Sequence, residues 1–304
     1  MVTQELTKPK KKVDVLTGML SAPSVMKQFE NALGKSANAF LASVIDLFNG
    51  DTGLQECEPS MVVKEALKAA VLKLPINKSL GFAYIIAFNN SVKVNGKWDK
   101  VKTPTFQLGY KGYIQLAMRT GQYRTINADV VYEGELQKLN KLTGEIAFDG
   151  EKTSDKVIGY FCYFELLNGF SKTLYMSVEN IANHAKRYSK GLDKEISVEN
   201  LIKLANMPFN PDSKAVGWSG NFHGMAIKTV IRLLLSKYGY LSIEMQEAIA
   251  NEDEATASEG FRFEEAEIIP QTEPQTEHET QEQPEVQPEP QEESQEESQQ
   301  TMKL

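Results

Sequence analysis

The sequence predicts an α+β fold in which small antiparallel β-sheets and hairpins pack with helices, followed by a disordered acidic C-terminal tail. Three observations predict it. Segments with apolar residues at helical spacing alternate with shorter runs rich in aromatic and β-branched residues. Asn95-Gly96 and Asn168-Gly169 stand between strand-like runs, where two-residue hairpin turns need positive φ. Beyond Asn251 the composition shifts to Glu, Gln, Pro and Ser, which leaves too little apolar surface to offset the entropy of ordering.

The elements follow in order. Residues 1–15 read as a basic flexible arm, 16–250 as the core and 251–304 as the tail. Pro23–Leu33 and Ala37–Phe48 carry apolar residues at helical spacing (Val25, Met26, Phe29, Leu33; Phe40, Leu41, Val44, Ile45, Phe48). A third helix, Met61–Leu74, takes Ser60 as its N-cap and stops at Pro75. Gly81–Phe88 and Thr105–Gly109 read as strands, and Tyr110–Thr120 as a helix ended by Gly121. Thr125–Tyr132 alternates as a strand does, and Lys156–Leu167 pairs with Lys172–Met176. Ser177 caps a helix through Tyr188. The polar stretch Ser189–Asn221 holds a short helix near Val198–Asn206 and is a candidate flap that orders over nucleic acid. Phe222–Tyr238 is the longest amphipathic helix, and Ser242–Ala250 leads into the tail.

Charge separates the core from the tail. The net charge of the 304 residues is −8, yet residues 1–250 hold 31 basic and 24 acidic residues, whereas residues 251–304 hold 17 acidic and two basic ones. A basic body suits a polyanionic partner. Its acidic extension solubilises the chain, competes for the basic surface, or docks a partner through the apolar island Phe261, Phe263, Ile268 and Ile269. No run approaches eighteen apolar residues, which argues against a membrane-spanning helix. Lys8 and Lys10–Lys12 precede Val13–Leu20, but Asp14 and Gly18 interrupt that stretch as they would not in a signal peptide. Cys57 and Cys162, far apart, suit a reducing cytoplasm better than a disulfide framework.

Catalytic motifs are weak. Gly34-Lys35-Ser36 resembles the end of a phosphate loop, but the required upstream Gly position is Phe29, inside a helical segment with no strand before it. His184 and His223 have no partner at metal-ligand spacing. Asp129, Glu133 and Glu135 are the best available carboxylates for a Mg²⁺-dependent nuclease, and no nuclease-pattern Lys accompanies them. The reading is of a non-enzymatic protein without cofactor or metal.

Basic residues interleaved with aromatics make the stronger case. In Leu108–Tyr123, Lys111, Gln115 and Arg119 recur at i, i+4 and i+8, flanked by Tyr110, Tyr113 and Tyr123, while Ile114, Ala117 and Met118 are expected inward. In Met225–Tyr238 the buried face is Ala226, Ile227, Val230, Ile231, Leu234 and Leu235, and Lys228 and Arg232 share another face. Trp218 and Lys214 lie upstream, and His184, Lys186, Arg187 and Tyr188 form a third cluster. Cations that track phosphates beside rings that stack on bases are what single-stranded nucleic acid requires.

These segments resemble the RecT family of phage-type single-strand annealing recombinases. Gly109–Gly121 meets the signature Gly-Tyr-(Arg/Lys)-Gly-x-Ile-x-Leu-Ala-x-Arg-(Ser/Thr)-Gly, and Met225–Arg232 meets Met-Ala-x-Lys-Thr-x-(Ile/Leu)-(Arg/Lys). Ala83-Tyr84 and Phe88-Asn89 match a third strand motif, with Ala87 where relatives have Pro. Ile76-Asn77-Lys78 and His223-Gly224 are further departures. The resemblance implies a RecT/Red-beta-like annealing core, distantly similar to eukaryotic single-strand annealing proteins. It further implies single-stranded DNA and annealed duplex as ligands, subunits assembled into a ring or helical filament, and no use of ATP. Its expected partners are an exonuclease and the host single-strand-binding protein, in the cytoplasm of a bacterial cell, encoded by a phage or prophage. On that view Lys111, Arg119, Lys186, Arg187, Lys214, Lys228 and Arg232 hold phosphates. Gln115 bonds sugar or backbone, and Tyr110, Tyr123 or Trp218 supports bases. A passive single-strand coat protein is the alternative.

Overall fold

The structure, a computed structural model, describes residues 11–94, 97–189, 191–193, 195–208 and 215–257. Lys214, the Asn95-Gly96 turn and the Phe261–Ile269 island lie outside them. The architecture is α+β, with helices around small antiparallel sheets.

Five helices open the chain: α1 (Lys12–Leu20), α2 (Pro23–Leu33), α3 (Ala37–Gly50), α4 (Thr52–Glu56) and α5 (Pro59–Val71). Leu16 and Leu20 of α1, Phe29 of α2, Val44 and Phe48 of α3, and Val62, Ala66 and Ala69 of α5 are buried together. α1 takes in residues 12–15, which the sequence reading assigned to the arm. Their inclusion has a local cause, because Lys12 Nζ donates to the carbonyls of Glu56 (2.7 Å) and Cys57 (3.1 Å) at the C-terminal end of α4. α5 starts at Pro59 behind Glu58, one turn position earlier than a Ser60 cap would place it, as expected for a proline whose missing N–H costs nothing at the first helical position. Gly34–Ser36 is a 3₁₀ turn between two helices, with Gly34 at φ +56°.

β1 (Ala83–Val94) and β2 (Lys97–Leu108) form a long antiparallel hairpin, with Ala83 opposite Leu108 and Phe88 opposite Thr103. Both run further than the apolar pattern suggested, because pairing continues into the polar stretch Asn89–Thr103. Glu65 ties α5 to this hairpin. Its buried carboxylate accepts from the Phe106 amide (2.8 Å) and from Lys68 Nζ (2.9 Å). Glu65→Ala is expected to destabilise the fold by about 1–3 kcal/mol, since it strands a buried amide. Urea denaturation followed by circular dichroism measures it.

After α6 (Tyr110–Arg119) come β3 (Tyr123–Tyr132), the short hairpin β4 (Lys138–Asn140) and β5 (Glu145–Ala147), then β6 (Val157–Leu166) and β7 (Ser171–Ser177). The three-stranded sheet has the order β3-β6-β7, with β6–β7 joined across Asn168-Gly169, where Gly169 has φ +85°. α7 (Val178–Tyr188) is capped by Ser177 Oγ, which accepts from the Asn180 amide, and α8 (Val198–Ala205) is capped in the same way by Ser197. Asn221 caps α9 (Phe222–Tyr238), and α10 (Ile243–Ala257) follows. α9 packs against β3, β6 and β7 on one side and against α6 on another, so it joins the sheet to the rest. All six apolar residues expected on its inner face are buried.

Candidate nucleic-acid interface

Two glycines set the position of α6. An ideal Cβ on Gly109 would lie 2.1 Å from the Gly81 carbonyl oxygen, and one on Gly112 would lie 2.3 Å from the Phe82 carbonyl oxygen. The Gly109 amide also donates to that Phe82 carbonyl at 2.8 Å. Only a helix without side chains at these points can lie so close to the start of β1. The close approach turns Gly112, Tyr113, Leu116 and Ala117 inward. The expectation that Ile114, Ala117 and Met118 face inward is therefore corrected in part: Ala117 is buried, Ile114 is partly buried, and Met118 is 62% exposed. Tyr113, expected to flank the basic stripe, belongs to the core.

Lys111, Gln115 and Arg119 do share one face, and with Phe82, Ile114 and Met118 they line a shallow concavity of about 480 Å³. Lys111 is exposed, and its stem lies over Gly81. Gln115 Oε1 is buried and has no hydrogen-bond partner. Arg119 is more committed: its guanidinium donates to the carbonyls of Leu72 (2.6 Å) and Lys73 (3.0 Å), just past the C-terminal end of α5. Tyr110 is partly exposed at the N-terminal end of α6, close enough to Tyr84 that the two phenols influence each other, and burial raises the Tyr84 hydroxyl above its ordinary pKa.

The remaining aromatics are used differently from the sequence reading. Trp218 is 5% exposed and packs edge-on against Phe222, with ring centroids 5.2 Å apart, so its faces meet the core and not solvent. Tyr123 lies edge-on to Phe164, and its hydroxyl donates to the Tyr240 carbonyl at 2.9 Å. Burial pushes that phenol up to about 12. Both rings serve packing in this conformation. Sequence alone gave no sign of this, because an aromatic beside a basic stripe looks the same whether it faces in or out.

On α9, Lys228 Nζ donates to Gln107 Oε1 of β2 at 3.3 Å, which bridges the helix to the strand that runs into α6. Arg232, one turn further on, acts electrostatically on His184 of α7. Lys186 and Arg187 are exposed in the last turn of α7, and the Arg187 guanidinium lies 5.3 Å from the centre of the Tyr188 ring. The carboxylates weighed for metal each have local partners. Glu133 pairs with Lys156 (3.0 Å), Glu135 accepts from the Tyr132 amide (2.7 Å), and Asp129 accepts from the Val130 amide (2.8 Å). Among the described residues no helix is long and apolar enough to cross a membrane.

Fold and surface define the class first: an α+β scaffold whose cationic faces lie on α6, α7 and α9. The comparison with known proteins then narrows it. The chain belongs to the RecT family, whose profile matches residues 38–273, and this membership implies a single-strand annealing recombination protein that binds single-stranded DNA. It is 45% identical over 240 residues, 79% of this chain and 72% of the relative, to the uncharacterized protein YqaK of Bacillus subtilis (strain 168). It is 26% identical over 245 residues, 80% of this chain and 81% of the relative, to Protein RecT of Escherichia coli (strain K12).

Proposed function

We propose that this chain pairs complementary DNA strands without ATP, as subunits of a ring or helical filament that hold each strand by its phosphates. The observation that carries this reading is the α6 concavity. Lys111 stands at the mouth of an apolar floor of Phe82, Ile114 and Met118, beside a second cationic helix that packs on α6. Free strands repel each other and fold on themselves. A surface that neutralises phosphates and leaves base edges outward lowers both barriers without selecting a sequence. Lys111, Lys186, Arg187, Lys228 and Arg232 supply the positive charge, Gln115 offers its amide to sugar or base, and Tyr110 offers an accessible ring. Lys214 extends the same set from outside the described residues. The exposed apolar side chains on the floor give bases a surface to rest on, which cations alone do not provide. Cytoplasmic location, origin in a phage or prophage, and cooperation with an exonuclease and the host single-strand-binding protein complete the proposal.

Complementary oligonucleotides mixed with the purified chain in the absence of nucleoside triphosphate test it, with a fluorescent donor and acceptor on opposite strands. Annealing is expected to run faster than with no protein. Slower pairing would identify a passive coat instead, and pairing that needs ATP hydrolysis would overturn the mechanism. Affinity for single strands is expected to fall steeply with salt, with a slope of about 0.7 per phosphate held.

A further inference from the structure

We propose that His184, between the guanidinium groups of Arg187 and Arg232, is a ligand of a phosphate subsite, and that a strand seated there takes up a proton on the imidazole. The inference rests on the DNA-binding reading and adds to it a residue and a pH dependence. His184 lies on α7 with its ring 4.6 Å from that of Tyr188. Its Nδ1 is buried and makes no hydrogen bond. A buried polar atom without a partner is rare in a folded protein and calls for a specific cause.

The charges around the ring point to an anion. Those acting on it are Arg232, from α9, and Arg187, from α7 itself; both are cationic. The elements packed against α7 are α8, β6 and β7. Their charged groups have other engagements: Glu199 of α8 feels Lys186 and Lys203, Glu165 of β6 pairs with Arg124, and Lys172 of β7 lies over the Tyr238 ring. The phenols Tyr160 and Tyr175 bond His223 and the Ile158 carbonyl, Tyr163 bonds Glu165, and Cys162 is a buried thiol. Glu179 lies in the first turn of α7, at the far end of the helix from Arg187. Without an anion, burial and the two guanidinium groups hold His184 down at about 4, so the ring is neutral near pH 7. A phosphate diester placed against it reverses the balance. It screens both arginines and accepts a hydrogen bond from Nδ1, which always carries a proton in the imidazolium form.

The sign of the pH dependence follows. A group whose pKa is higher in the complex than in the free protein strengthens binding as pH falls through the bound-state value, by up to tenfold per unit of pKa difference. The test is anisotropy of a labelled oligothymidylate with the full chain at constant ionic strength between pH 8 and pH 5.5. Affinity is expected to rise severalfold toward low pH, and His184→Gln is expected to flatten that profile, whereas His223→Gln keeps it. Calorimetry of the unmutated chain at pH 6, in buffers of differing ionisation enthalpy, needs no variant and is expected to show proton uptake on binding. A flat profile with tight binding, or a slope that survives His184→Gln, would overturn the subsite and leave the DNA-binding reading standing. No binding at any pH would overturn that reading itself.

Discussion

Lys111→Glu is expected to cut affinity for single-stranded DNA at low salt by at least about tenfold while leaving the melting temperature unchanged, and Arg119→Ala to do the reverse. The two residues sit on one helix face, two turns apart, and sequence alone treats them as equivalent phosphate ligands. Their surroundings separate them. Lys111 is exposed at the mouth of the concavity, so its reversal removes a charge-assisted contact of about 1.5–3 kcal/mol and places a like charge beside the incoming phosphate. Surface exchanges of this kind stay within roughly 0.5 kcal/mol in stability. Arg119 instead crosses from α6 to the carbonyls of Leu72 and Lys73. These are among the carbonyls that the end of α5 leaves without a helical partner, and a cation there also opposes the helix dipole. Its loss is expected to cost about 1–3 kcal/mol, read as a melting point lowered by several degrees. Thermal melts and anisotropy titrations of both variants decide it. Equal loss of binding with equal stability would make Arg119 a phosphate ligand of the same kind as Lys111.

The contrast shows where sequence reading stops. Periodicity located α2 and α9 closely, and the Asn168-Gly169 turn located the β6–β7 hairpin, because these signals are local. α1 and α4 escaped it. α1 is a nine-residue helix held partly by the Lys12 bonds to Glu56 and Cys57, 44 and 45 residues away, and α4 is a single turn capped by Asp51. Neither leaves a long apolar period. The site shows the same division. The basic stripe of α6 was legible because i, i+4, i+8 spacing fixes a face. The rotation of that face was not, since it depends on how closely Gly109 and Gly112 approach the backbone of Gly81 and Phe82. Met118 was assigned inward on hydrophobicity alone, although the helix touches its neighbour on the glycine side. Trp218 and Tyr123 were read as base supports for their type, and their burial comes from Phe222, Phe164 and Tyr240, which are adjacent only after folding. His184 carried no sequence signal either, because Arg232, which acts on it, lies 48 positions away in the chain.

Gly112→Ala is expected to have the largest effect on stability of any single methyl added to this chain, on the order of 3 kcal/mol or more. The new Cβ would fall 2.3 Å from the Phe82 carbonyl oxygen and 2.9 Å from Leu108 Cδ1. Leu108 could turn aside; the carbonyl is backbone and already accepts the Gly109 amide at 2.8 Å. Relief requires α6 to lift away from β1 by about an ångström, which breaks that hydrogen bond and opens the packing of Tyr113, Leu116 and Ala117 behind it. Overpacking in a dense core costs about 1–3 kcal/mol when side chains can adjust, and more when the obstacle is main chain. Gly18→Ala provides the opposite case in the same protein. Gly18 is exposed within α1, its added Cβ would meet nothing within 4 Å, and the change is expected to stabilise by about 0.5–1 kcal/mol through helix propensity. Denaturant titrations of the two variants should therefore move in opposite directions. Because Lys111 and Gln115 ride on the same helix, any folded fraction of Gly112→Ala is also expected to bind single-stranded DNA more weakly. If that variant melts with the unmutated protein and binds as tightly, α6 is not seated on β1 by its glycines, and the geometry of the concavity loses its foundation.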